Sequence, residues 1–259
     1  MDNRPGAGGV IAGEITANAP PDGHTLMMVS TAHAVNASLY RKLPYDTARD
    51  FAGITLVAES PNLLVATRSL GLRSVRELID LARSKPGQIN YGSGGIGSGT
   101  HMAGEQFKLD AGINVIHVPF KGTPEALTGT IGGDVQYFFA PFNVAAPLVK
   151  SGRVSGVAVT SKTRTPAAPE IPTVMESGLP GFYFYFWTGL VGPSKMQSAV
   201  KEEIANEVKR IIALPEFNER LLRQGDTPHT MSPQQFDAFI AVEIERLGKI
   251  VKAAGMRAD

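Results

Sequence analysis

The chain has 259 residues, with 25 basic and 24 acidic side chains and 43% hydrophobic residues. This length provides one large domain or two of ordinary size, and the balanced charge argues against a generic nucleic-acid-binding surface. The chain has no cysteine, which excludes disulfide bonds, thiolate zinc sites and a cysteine nucleophile. No stretch approaches the roughly 18 apolar residues of a membrane span, and the first residues lack the apolar core of a signal peptide.

Strand-like apolar runs alternate with helical periodicities along most of the chain. The predicted strands lie at 26–29, 51–57, 63–65, 89–91, 115–120, 135–139 and 154–159. Helices are predicted from capping residues and i, i+3, i+4 periodicity, at 74–85, at 99–109, from Thr123 with threonine as N-cap, at 198–214 and from Ser232. This alternation favours α/β lobes with mostly parallel sheets.

The glycine-rich segment at 90–107, NYGSGGIGSGTHMAGEQF, has the clearest functional pattern. Gly92, Gly94 and Gly97 satisfy G-x-G-x-x-G between a strand and a helix, which is the outline of a dinucleotide-binding fingerprint. The rest of that fingerprint is absent, because the region at 117–121 reads HVPFK and has no carboxylate for a ribose. A nucleotide-dependent oxidoreductase therefore stays only as an alternative.

A phosphate-binding loop is also excluded, because Ser98 stands where that motif requires lysine. The pattern that remains is a general anion site, in which backbone N–H groups at a helix start are joined by the hydroxyls of Ser98 and Thr100. The alternative is a tight strand-to-helix turn whose glycines only permit positive φ. Five glycines between 92 and 99 favour the binding loop.

Catalytic patterns are weak. No histidine pair has the i, i+4 spacing of a zinc site, and no serine lies in a G-x-S-x-G elbow. His101 is predicted to form a structural hydrogen bond to its own loop, because no partner nucleophile is evident. Trp187 is predicted to pack in a core or interface. We therefore predict no enzyme, no metal site and no cofactor.

Nine motifs in order resemble those of the substrate-binding proteins of tripartite tricarboxylate transporters, the Bug-type receptors. They are NRPGAGG, PDGHTL, LYRKLPYD, GSGGIGSGTH with AGEQF, VPFKGTPEAL, IGGDVQYFF, VKSGRV, IPTVMESGLPGF and WTGLVGP. The resemblance covers essentially the whole chain. It implies a periplasmic receptor that captures a small organic acid, a carboxylate, for the integral-membrane subunits of a transporter, with no nucleic-acid partner.

The resemblance also implies a fold, the two-lobed periplasmic binding protein type II fold of the α/β class. Lobe one is expected at 1–60 plus 185–259 and lobe two at 65–160, with the ligand cleft between the lobes. In the family a secretion signal and the first strand, loop and helix of lobe one precede NRPGAGG, so we expect this chain to be truncated there. The intact family implies a monomer, and the truncated lobe one, with an unpaired strand edge, could form an oligomer.

Three loops match the ligand-binding loops of the family. They contribute Ser30 and Thr31 from lobe one, Gly97, Ser98, Gly99 and Thr100 from the anion-binding loop of lobe two, and Pro119, Lys121 and Gly122 from a neighbouring loop. Ala140 stands where some family members carry aspartate, which argues against an amino-acid ligand.

Overall fold

The computed structural model describes residues 2–4 and 7–258. Pro5 and Gly6 of the NRPGAGG motif lie outside the described residues. The chain divides into two compact units, one formed by 1–59, 187–221 and 226–259 and the other by 60–186 and 222–225. The second unit extends beyond 65–160 because Phe182 packs against Phe107 and Phe139, at centroid distances of 5.9 Å and 6.1 Å.

Strands and helices alternate as the sequence predicts. The strands are β1 (Met27–Ser30), β2 (Phe51–Ala66), β3 (Asn90–Ser93), β4 (Ile116–Pro119), β5 (Tyr137–Pro141), β6 (Ser155–Val159), β7 (Tyr185–Pro193) and β8 (Thr227–Pro228). The α-helices are α1 (Val10–Ala17), α2 (Thr31–Leu39), α3 (Val75–Ser84), α4 (Gly99–Ala111), α5 (Thr123–Gly132), α6 (Phe142–Lys150), α7 (Val174–Ser177), α8 (Ser198–Ile212), α9 (Pro215–Arg223) and α10 (Pro233–Ala253). Among the described residues, no helix combines the length and apolarity needed to cross a bilayer.

In the first unit, β1 is antiparallel to β7, and β8 is antiparallel to β2. β7 lies between β1 and β2, with Ser30 of β1 opposite Thr188, and β8 pairs with β2 near Glu59. Helix α10 packs against α2, and the buried Trp187 lies edge-on to Phe236 at 6.0 Å. Within the described residues β1 pairs on one side only, and Met28 on this edge strand is 59% exposed.

The second unit contains a mixed sheet. β3 is parallel to both β4 and β5, whereas β2 is antiparallel to β5 and β6. Helix α4 covers one face, where Phe107 contacts Phe139 at 5.3 Å, and α5 and α6 contribute to the apolar cluster on the other face. The prediction of mostly parallel sheets is therefore wrong, because β2 is antiparallel to β5, β6 and β8, and β1 is antiparallel to β7.

Helix boundaries follow the capping residues, but several differ from the sequence prediction, and α1, α2, α6 and α7 are not predicted from the sequence. α10 begins as predicted, with a capping box between Ser232 and Gln235. α5 is capped by Gly122 rather than by Thr123, so threonine is its first helical residue. The helix predicted at 198–214 ends at Ile212, and Pro215 begins the unpredicted α9, because proline favours the first turn of a new helix and cannot continue an old one.

Candidate functional site

The glycine-rich loop connects β3 to α4 in the second unit. Ser98 is the N-cap of α4, and its Oγ accepts a hydrogen bond from the His101 N–H at 3.2 Å. Gly95 and Gly97 have φ of +122° and +76°, conformations that other residues rarely adopt. The loop is therefore both a strand-to-helix turn and the opening of a 13-residue helix.

Three amides of this loop bond to side chains of the loop itself or of α4. The pairs are Gly94 N–H to Thr100 Oγ1 at 2.9 Å, Gly95 N–H to Ser93 Oγ at 3.1 Å, and Gly97 N–H to His101 Nδ1 at 3.2 Å. The predicted structural role of His101 is thereby confirmed. These bonds fix the path of the loop before any ligand binds.

The hydroxyls of Ser98 and Thr100 also bond within the loop. Ser98 Oγ lies 2.7 Å from the Gly95 carbonyl, to which it donates, and 2.9 Å from Thr100 Oγ1. Three amides remain, because the N–H groups of Ile96, Gly99 and Thr100 donate no hydrogen bond to any residue that the structure describes. Those of Gly99 and Thr100 are the first two amides of α4, whose donors have no partner inside a helix.

Phe186 is a neighbour of this helix start that the sequence reasoning missed. A Cβ added to Gly99 would lie 2.7 Å from Cδ2 of Phe186, so the half-buried ring packs directly on the first residue of α4. Glycine is required there by close packing rather than by an unusual φ. In the sequence, the only indication of this contact is that Phe186 is an aromatic residue directly before Trp187.

The loop between β4 and α5 lies beside the glycine-rich loop. Hypothetical Cβ atoms on Gly94 and Gly95 would lie 3.4 Å from the Thr123 nitrogen and from the Phe120 carbonyl oxygen, respectively. Lys121 is exposed, and within the described residues its ammonium group has no hydrogen-bond or ion-pair partner. The structure thus brings two of the three predicted loops together, with Pro119 exposed and Gly122 half-buried at the same place.

Ser30 and Thr31 lie at the start of α2 in the first unit. Ser30 is the N-cap, and its hydroxyl makes no capping hydrogen bond. Thr31 is fully buried, and its Oγ1 accepts a hydrogen bond from the Trp187 N–H at 3.1 Å. The Thr31 hydroxyl therefore serves the packing of the first unit, and Trp187 is a core residue, as predicted.

A cluster of mostly buried polar side chains lies next to the glycine-rich loop and bonds to it. The rings of His101 and His117 stack at 3.8 Å, His117 Nε2 lies 2.7 Å from Ser93 Oγ, and Tyr91 donates a hydrogen bond to Glu105. Burial lowers the pKa of His101 to about 3 and that of His117 to about 4, so both rings are neutral at pH 7. The neutral form of His101 is required for its hydrogen bond to the loop, because the Nδ1 of an imidazolium carries a proton and could not accept from the Gly97 N–H.

Among residues 2–4 and 7–258, no group of three His, Cys, Asp or Glu side chains has the arrangement of a metal site. The feature of this region that can bind a ligand is the start of α4. It presents two unpaired amides and the positive end of the α4 dipole, which together favour an anion.

Comparison with known proteins gives concordant results. A model of the tripartite tricarboxylate transporter family receptors matches residues 1–256. The UPF0065 protein from the tcbD-tcbE intergenic region of Pseudomonas sp. is 32% identical over 97% of this chain and 75% of its own length. An R. palustris protein solved with adipate is 32% identical, with a TM-score of 0.89 over 99% of this chain and 86% of its own. MatC from Rhodopseudomonas palustris, solved with bound malate, is 29% identical, with a TM-score of 0.82 over 95% of this chain and 85% of its own.

Proposed function

Because the chain belongs to the tripartite tricarboxylate transporter family of receptors, we propose that it is a periplasmic receptor that binds a small organic acid and passes it to the integral-membrane subunits of a transporter. The family and the structural neighbours are substrate-binding receptors, not enzymes. None of the proteins compared above supports the nucleotide-dependent oxidoreductase considered from the sequence.

The observation that carries this proposal is the pair of amides of Gly99 and Thr100, which donate to no described residue at a prearranged helix start. A carboxylate placed there receives two N–H donors and the favourable field of the α4 dipole. The loop is already held by the hydrogen bonds of the Gly94, Gly95 and Gly97 amides, and such preorganisation lowers the entropy cost of binding. In this proposal the hydroxyls of Ser98 and Thr100 act by holding the loop.

The remaining predicted residues have supporting roles in the proposal. Lys121 supplies a positive charge beside the glycine-rich loop, between Pro119 and Gly122, where a second carboxylate of the ligand would gain from it. In the first unit, the proposed donors are the Ser30 hydroxyl, which makes no capping hydrogen bond, and the Thr31 backbone amide. The adipate and malate bound by the two neighbours make dicarboxylates the first ligands to test.

Calorimetric titration with adipate and malate tests the proposal, with adipamide as a matched ligand of similar shape and no charge. We expect at least one dicarboxylate to bind saturably and to raise the melting temperature, because a ligand selective for the native state stabilises it. Adipamide should do neither. Binding of NAD or NADP without any binding of carboxylates would overturn the proposal in favour of the oxidoreductase.

The contribution of Lys121 is tested separately by Lys121→Met, which keeps the length of the side chain and removes its charge. We expect affinity for the dicarboxylate to fall by about two- to fivefold, the size of a solvated charge interaction. Lys85→Met, at another exposed lysine of the same unit, is the control for a general change in charge. Equal effects of both variants would remove Lys121 from the site.

A further inference from the structure

Asn62 is a buried amide whose side chain is incompletely bonded. It lies in β2 within the second unit and is 1% exposed. Its backbone is fully paired, because its N–H donates to Thr160 Oγ1 at 2.8 Å and its carbonyl accepts the Thr160 N–H at 2.9 Å. Its Nδ2 has no hydrogen-bond partner among the described residues. Native proteins contain few such donors, because leaving one unpaired costs free energy.

The Asn62 side chain projects from the α4 face of the sheet. Asn62 is directly opposite Pro141 of β5, and Phe139, two residues before Pro141, shares this face. Side chains directly opposite each other in an antiparallel pair project to the same face, and alternate residues of a strand do so as well. The Phe139 ring contacts Phe107 of α4, which identifies the face.

Asn62 also lies at the edge of the sheet where α4 begins. β5 runs parallel to β3, so both strands end at the edge from which the glycine-rich loop leads into the helix. A series of contacts connects Asn62 with the start of α4. Thr160, whose Oγ1 accepts the Asn62 N–H, donates from the same atom to the Phe184 carbonyl at 2.6 Å. Two residues further along the chain, Phe186 packs on Gly99. The unpaired donor and the unpaired amides of α4 are thus on one face and at one edge of the same unit.

We propose that Asn62 is a further ligand-binding residue whose Nδ2 donates a hydrogen bond to an oxygen of the bound acid. This rests on the proposed function, since it assigns a third donor to the same carboxylate ligand. A neutral amide donor favours carboxylate, carbonyl or hydroxyl oxygen and gives nothing to an ammonium group. The site would therefore prefer plain or hydroxylated organic acids to amino acids.

Two isosteric variants separate this role from a structural one. We expect Asn62→Leu to weaken binding of the preferred dicarboxylate by about tenfold, the effect of one hydrogen bond to a charged group. Its unfolding midpoint in urea without ligand should be unchanged or higher, because the variant removes an unpaired buried donor. Asn62→Asp should weaken binding further by placing a negative charge beside the anion. Asn143→Leu, at an exposed amide of α6, is the control and should leave affinity unchanged.

The opposite pattern would overturn the assignment. If Asn62→Leu lowers the unfolding midpoint and leaves the dissociation constant as in the parent protein, the amide bonds an internal water and has no contact with the ligand. Failure of the parent protein to bind any dicarboxylate would overturn the proposed function as well. Binding by the parent that persists in Asn62→Leu would overturn only the role of Asn62.

Discussion

Replacement of His33 by leucine should reduce the acid sensitivity of folding. His33 lies in α2, is 4% exposed, and contacts Phe51 edge-on at a centroid distance of 4.8 Å. Its Nε2 has no hydrogen-bond partner among the described residues, and burial lowers the pKa of the ring from its usual 6.5 to about 4. A proton therefore binds the unfolded chain more readily than the native one.

The sign and size of the effect follow from this difference. A histidine whose pKa is lowered by folding contributes stability above pH 6.5, and this stability is lost as the pH falls from 6.5 towards 4. At pH 5 the unfolded imidazole is almost fully protonated and the native one is almost neutral, so the native state loses about 2 kcal/mol from His33 alone. Aspartate and glutamate side chains contribute little to the change between pH 7.5 and pH 5, because most remain ionised.

Urea unfolding of the parent and of His33→Leu at pH 7.5 and pH 5 measures this contribution. The loss of unfolding free energy between the two pH values should be smaller in the variant by about 2 kcal/mol. The control is His24→Gln, at an exposed histidine of the same unit. Its unfolding free energy should fall between the two pH values by as much as that of the parent. An equal loss in His33→Leu and the parent would show that the buried ring does not control this pH dependence.

Three further substitutions test side-chain contacts within the two units. Thr31→Val should destabilise the protein by about 1–3 kcal/mol in urea unfolding, because the buried Trp187 N–H loses its acceptor. Ser98→Ala should cost about 1 kcal/mol of stability by removing the α4 cap. Affinity for the dicarboxylate, measured by calorimetry, should also fall, because the loop is less well ordered without this cap. Gly104→Ala should lower the unfolding free energy by about 1–3 kcal/mol, because its Cβ would collide with the Tyr91 ring.

The parts of the fold that depend on local chemistry could be predicted from the sequence. Ser98 and Ser232 mark helix starts because a capping side chain bonds an amide only three residues away. The glycine-rich loop was recognised for a similar reason, since its strand, turn and helix are contiguous. The direction of β2 was not predictable in this way, because pairing with β5 depends on residues distant in sequence.

The details of the site depend on distant contacts and could not be read from the motif. The hydroxyl of Thr31 is occupied by Trp187, and the packing of Phe186 on Gly99 joins segments far apart in the chain. Asn62 did leave a signal in the sequence, a polar residue immediately before the apolar run at 63–66. Its significance depends on which face of the sheet it occupies, and only the strand register reveals that.

The position of Trp187 has a practical consequence for measurements on this protein. It is the one tryptophan of the sequence, it belongs to the first unit, and its indole N–H donates to Glu243 of α10 at 3.0 Å. Its fluorescence therefore reports the docking of α10 in the first unit, whereas far-ultraviolet circular dichroism records the helices of both units. If denaturation curves from the two signals do not coincide, the units unfold in separate steps, and a single free energy of unfolding no longer describes the chain.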